Sequence, residues 1–295
     1  MRDEDKVKDL DKLRQNFVNE VDALKKSKKN ITQLQIISVM PSWKNYTTSV
    51  ENKQIKRPPA RWEIMNLAEL FECTTHQRNV LLAAAGYKTE EEYVDDSQRL
   101  SVLLEPLLQI MEYTHYPCYI VNKNWDLLAI SSTALAFFGI SPIEFKNFPT
   151  EYLNVLSLLL YKESPVRKMI EGEDSLYWWG VLYRNIRGFK AENELCRYDT
   201  WYTKTINNFR QFPEFRRIYD EGYTPIDNED DWLDFKTCFK RDGIELTTRS
   251  VISKAGDLPH PQLTHYVPAD EVTRDWFRDE LKIHFPDKPR IFKIF

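Results

Sequence analysis

Residues 117–131 read PCYIVNKNWDLLAIS, and here the pattern of the chain changes. Upstream, apolar residues recur at three- and four-residue spacing. In this stretch two short runs, rich in β-branched and aromatic residues, flank the polar Asn122-Lys123-Asn124, which predicts two strands joined by a turn. Strands return near the C-terminus as WLDFKTCFK (232–240), then GIELTTRSVISK (243–254) after the turn Arg241-Asp242-Gly243, then QLTHYVP (262–268). Between the two sets, residues 132–220 read mostly as successive helices. A last helix, ADEVTRDWFRDEL (269–281), precedes a short tail. Strands at both ends of a region with helices inserted between them predict an α+β fold with a mostly antiparallel sheet.

Working back toward the N-terminus, LSVLLEPLLQIMEY (100–113) reads as a helix with Pro106 inside it. Before it, KTEEEYVDDSQ (88–98) is acidic with little apolar content and marks a boundary, giving domains 1–90 and 91–295. The first of these reads as five helices. Leu10, Leu13, Phe17, Val21 and Leu24 form one amphipathic set. Leu34, Ile36, Ile37 and Met40 form a second, which begins at Thr32 and is stopped by Pro41. Trp43, Tyr46, Thr47 and Val50 form a third, ending before Pro58-Pro59. ARWEIMNLAELFE and TTHQRNVLLAAAGY supply two more, the second closed by Gly86.

Composition narrows the function classes. An apolar fraction of 42% with 8 Trp, 15 Tyr and 16 Phe is that of a packed globular chain and not a disordered one. Only 8 glycines disfavour a phosphate-cradling loop. No apolar run reaches the ~20 residues that cross a bilayer, and the start MRDEDKVKDLDK is charged, so a cytoplasmic protein without membrane contact is expected. Cys73, Cys118, Cys196 and Cys238 are too far apart to suggest a zinc cage or a disulfide framework. His260 and His265 lack the Glu placement of a His-Glu-x-x-His site, His76 and His115 have no evident partner, and no Gly-x-Ser-x-Gly or Walker-type loop occurs. The run Asp227, Asn228, Glu229, Asp230, Asp231 reads as a solvated loop. No enzyme, no metal and no cofactor are expected. Charge is unevenly spread, with 11 basic against 3 acidic residues between 12 and 61, the footprint of a module that faces a polyanion.

A short helix, a turn and a second helix with a polar face form the arrangement of a helix-turn-helix reader of the major groove. Residues 32–58 resemble the XRE or phage-repressor type. Thr32-Gln33 opens the first helix, Ile36 and Met40 hold its core, and Val50-Glu51-Asn52 closes the second, followed by a basic loop ending Lys56-Arg57-Pro58. The resemblance implies that Gln33, Lys44, Asn45 and Ser49 reach base edges, while Trp43, Asn52, Lys53, Lys56 and Arg57 hold the phosphate backbone of double-stranded DNA. Pro41 and Lys53 stand where that family usually has glycine.

A second resemblance covers the rest. LLAAAGY, YIVNKNWDLLAISSTALAFFG, NVLSLLLYKESPVRK, FPEFRRIYDE and LTHYVPADE occur in the order found in MmyB-like transcription regulators, although Ile130-Ser131 replaces the usual Trp-Asn. It implies a PAS-like C-terminal domain that holds a small hydrophobic ligand, a fatty acid being the best candidate. The residues themselves offer an apolar set for such a pocket: Phe137, Phe138, Leu156, Leu160, Trp178, Trp179, Tyr183, Trp201 and Phe209. The expectation is a DNA-binding transcriptional regulator, working as a homodimer as helix-turn-helix readers commonly do. Two rivals remain. One is a ligand-binding or protein-interaction module whose helix-turn-helix is degenerate through Pro41 and Lys53; the other is a lipid-acting enzyme.

Overall fold

The computed structural model describes residues 3–43, 45–51, 59–89, 97–171, 175–225, 236–255, 260–281 and 290–294. The chain divides into two compact units. One comprises Met1–Glu92 together with Leu195–Thr203, and the other comprises Tyr93–Glu194 and Lys204–Phe295.

The first unit is helical. α1 (Asp3–Ser27) is followed by α2 (Gln33–Val39), a π-helical turn (Thr47–Glu51), α3 (Arg61–Leu70) and α4 (Thr75–Ala84). The spacing of the apolar residues translates directly into a core. Phe17, Val21, Ile36, Met40, Ile64, Leu67, Phe71, Leu81 and Leu82 are all buried against one another. Leu34 departs from that pattern, standing 82% exposed in the first turn of α2. Thr32 and Gln35 form a reciprocal capping box that fixes the start of α2. The turn after α2 keeps its shape despite Pro41 because a buried carboxylate ties it down. Glu63 accepts hydrogen bonds from the Ser42 amide at 2.7 Å and from the Ala60 amide at 2.6 Å.

Leu195–Thr203 belongs to this unit through polar contacts. The Asp199 carboxylate accepts from the Thr75 amide and hydroxyl, both at 2.7 Å, at the start of α4. The Leu195 carbonyl accepts from Arg78, and Glu69 accepts from the Tyr198 hydroxyl and pairs with Arg197. Sequence periodicity gave this stretch as helix. It begins as a 3-10 turn (Glu194–Cys196), breaks at residues 197–199, and is helical again from Thr200.

The second unit is built on a six-stranded, wholly antiparallel sheet of order β3-β4-β5-β1-β2-β6. The strands are β1 (Cys118–Val121), β2 (Leu127–Ser131), β3 (Lys236–Arg241), β4 (Ile244–Lys254), β5 (Gln262–Pro268) and β6 (Ile291–Lys293). The short β6 falls in what the sequence presented as a tail. At the β3–β4 hairpin, Asp242 and Gly243 both adopt positive φ, 51° and 79°, which matches the right-handed twist of the flanking strands.

Helices cover both faces of this sheet. α5 (Ser97–Tyr113) lays Leu104, Leu107, Leu108 and Met111 against Cys118, Ile120, Leu128 and Leu263 on one face. Between β2 and β3 run α6 (Ser132–Phe137), α7 (Pro142–Lys146), α8 (Val155–Leu160), α9 (Pro165–Glu171), α10 (Ser175–Glu192), α11 (Thr200–Phe209) and α12 (Pro213–Tyr219). α13 (Glu271–Trp276) follows β5. With both faces covered, β1 and β2 are buried at every position, which explains their lack of a polar alternation.

Candidate functional site

In the sheet unit, the face opposite α5 carries a partly open cavity of about 230 Å³. Its floor is strand residues that alternate away from α5: Tyr119 of β1, Thr237 and Phe239 of β3, Ile252 of β4 and Tyr266 of β5. Its roof is helical, with Leu158 and Leu159 of α8, Val166 and Ile170 of α9, and Val181, Arg184, Asn185, Gly188 and Glu192 of α10. These α10 positions recur every three or four residues and make one stripe along the helix.

The polar groups of this apolar chamber are few and distinct. Arg184 donates to the Lys236 carbonyl at 3.0 Å and to Thr237 Oγ1 at 2.6 Å. No carboxylate among the described residues pairs with it. Burial depresses its pKa, opposed by the nearby Tyr177 and Tyr266 hydroxyls. The Tyr119 and Tyr266 hydroxyls lie 3.5 Å apart, and burial raises both their pKa values, so both stay protonated at neutral pH.

Glu192, two turns beyond Arg184, accepts from Trp125 Nε1 at 2.9 Å and from Gln262 Nε2 at 3.5 Å. His260 Nε2 lies 3.8 Å from the same carboxylate. Burial, with Lys254 and Lys123 nearby, pushes the His260 pKa down to about 4, so at neutral pH this contact is not an ion pair. Trp125 holds a left-handed backbone, φ 62°, uncommon for a bulky residue. A polar knot locks the turn that carries it. Asn122 Oδ1 accepts from the Asn124 and Asp126 amides, and Asn154 donates to Asp126 Oδ1 at 2.8 Å while capping α8.

Of the nine residues expected to line a pocket, Phe138 does so. Phe137 is instead fully buried at the centre of a ring cluster, within 6.1 Å of Phe138, Phe239, Tyr266, Trp276 and Phe277. Leu156 and Leu160 are buried in α8, and Trp178 is held by the Leu159 carbonyl and by Arg167 stacked 3.9 Å above its ring. Trp179 packs on Trp178 and Tyr223, Tyr183 contacts Arg187, and Phe209 packs on Phe215. Trp201 lies in the helical unit, donating to Asp199 at 3.2 Å. The chamber is lined largely by smaller aliphatic residues and by tyrosines on strands.

In the helical unit, Gln33 and Asn45 are exposed, and Asn45 Oδ1 accepts from the Thr48 amide at 2.6 Å. Trp43 and Ser49 correct the sequence expectation. Only 4% and 3% exposed, they have no surface to offer DNA, because the Trp43 ring packs edge-on against Phe17 and Ser49 lies beside the buried Val50. Lys44, Asn52, Lys53, Lys56 and Arg57 lie outside the described residues, as does the acidic run 227–231.

Among the described residues no three His, Cys, Asp or Glu side chains gather as a metal site, and no helix is long and apolar enough to cross a membrane. Cys73 and Cys118 are buried, and burial pushes both thiols up to about 11. No protein-family model matches the chain, and no curated protein sequence matches it either.

Proposed function

We propose that the chain is a DNA-binding transcriptional regulator whose sheet unit senses a small hydrophobic ligand, with a fatty acid the best candidate. The observation that carries the reading is the apolar chamber of about 230 Å³ beneath α10, with the cationic Arg184 on its wall. An apolar cavity with a few convergent polar groups is the usual form of a small-molecule site. The PAS-like reading draws support from the sheet order and from the helices inserted between β2 and β3. The DNA-reading role draws support from the exposed Gln33 and Asn45, the capped α2 and the basic composition of residues 12–61. A homodimer fits this role because paired half-sites add their contact energies.

Mass spectrometry on solvent extracts of the purified full-length chain tests the sensing half. The expected result is one apolar acid recovered in near-stoichiometric amount. An empty extract, together with no uptake of a fluorescent fatty-acid analogue, would sink it.

A further inference from the structure

On the face away from the chamber, the sheet is only half covered. α5 lies over β1 and β2, and beside it β4 and β5 floor an open apolar groove. Ser250 and Ile252 of β4 line the chamber on the other face, so the alternation of the strand puts Arg249 and Val251 on the α5 side. Val251 stands opposite His265 of β5, and Arg249 opposite Val267. Val251, His265 and Val267 make the floor, and Val251 is 47% exposed.

α5 itself carries two apolar stripes. One packs on its own sheet. The other runs along the opposite side as Val102, Pro106, Ile110 and Tyr113, at three- and four-residue spacing, with Val102 71% and Tyr113 73% exposed. Pro106, Ile110 and Tyr113 also form the wall of the groove. The flank of α5 turned away from the groove carries the exposed Glu105 and Glu112, one position before Pro106 and Tyr113. The face therefore has an acidic margin on α5 and a basic one, Arg249, on β4.

We propose that this face is the contact between two copies of the chain, related by a two-fold axis beside α5 and parallel to it, so that each α5 lies over the other copy's β4 and β5. Packed helices stand ~10 Å apart and two strand spacings also span ~10 Å, so a second helix next to α5 comes to rest over the groove floor. The outer stripe of each helix then leaves water against the other copy's Val251 and Val267. A two-fold contact uses the same patch on both sides, and this rotation brings the Glu105–Glu112 flank of one copy over Arg249 of the other. The proposal rests on the homodimer put forward above and names its interface, which belongs to the sheet unit.

Sedimentation equilibrium of the full-length protein tests this. The unmodified chain should sediment as a dimer. Ile110→Lys and Val251→Lys each place an unpaired charge in the contact and should raise the dimer dissociation constant about a hundredfold or more. Both positions are exposed within one copy, so the fold should survive, as unchanged circular dichroism would confirm. Arg249→Glu should weaken the dimer about tenfold, and adding Glu105→Arg and Glu112→Arg to that chain should restore it. Ile143→Lys, at an exposed apolar residue on α7, should change nothing. A dimer that survives both Ile110→Lys and Val251→Lys, or that Ile143→Lys disrupts equally, would overturn the interface while leaving the homodimer standing. A monomeric unmodified chain would overturn both.

Discussion

The two units use apolar residues differently. In the helical unit the residues at three- and four-residue spacing meet in one filled core, and even Trp43 and Ser49 are drawn into it. In the sheet unit the largest aromatic side chains also fill space, but the helices over the sheet leave a chamber lined by strand tyrosines and the smaller side chains of α8, α9 and α10. The difference teaches that aromatic density marks where packing is tightest. A ligand space lies where a stripe of modest side chains faces a sheet, as along Val181, Arg184, Gly188 and Glu192.

Four measurements sharpen or break that contrast. The largest effect belongs to Phe137, which touches five other rings and has no exposed surface. Phe137→Ala should destabilise the sheet unit by about 3–5 kcal/mol in denaturant unfolding. A loss under ~1 kcal/mol would mean that the ring borders empty space after all. Next, Glu63→Ala orphans the Ser42 and Ala60 amides of the helical unit and should cost about 2 kcal/mol. A neutral outcome would show that Pro41 holds the turn without help.

Third comes pH. The His260 pKa is depressed from 6.5 in the unfolded chain to about 4 when folded, so its contribution is fully present above pH 6.5 and is lost as pH falls toward 4. The loss is about 3 kcal/mol. His260→Gln should flatten that part of the stability profile, and an unchanged slope would place the titrating group elsewhere. The smallest effect on folding is expected of Gly188→Ala. A Cβ at this position meets the Trp125 ring at 3.5 Å, an ordinary contact, so the added methyl fits beside that ring on the chamber wall. Stability should change by less than ~1 kcal/mol, because alanine is the better helix former, while decanoate affinity falls severalfold as the wall moves inward. Undiminished affinity would move the ligand away from α10.

Much of the fold was legible in the sequence. The change of period at residues 117–131 marked the first hairpin, and Arg241-Asp242-Gly243 marked the second. Two features were hidden for physical reasons. β6 has three residues, too few to show an alternation, and forms because β2 offers a free edge. The loop around Asp199 carries aromatic residues at helical spacing, but its backbone follows the polar contacts of Asp199, Tyr198 and Arg197 with α3 and α4. The site was harder to read. An apolar residue bordering a cavity and one filling a core have the same composition, so the list of nine found Phe138 alone. Two patterns pointed the right way: the alternation that puts Tyr119, Phe239 and Tyr266 on one face, and a charged residue inside the apolar stripe of α10. Trp43 and Ser49 were misread because spacing alone does not show which positions are buried: Trp43 precedes the π-helical turn Thr47–Glu51 and packs on Phe17, while Ser49 lies within that turn and is 3% exposed.

The most direct test of the account is the affinity of the full-length protein for a pool of double-stranded DNA, measured from ~50 to ~200 mM salt with and without a saturating ligand. The account predicts tight binding at low salt, a fall of about a thousandfold or more across that range as phosphate contacts release counterions, and a shift of the whole curve when the chamber is filled. Absence of DNA affinity at the lowest salt would contradict it and leave the chain a ligand-binding module.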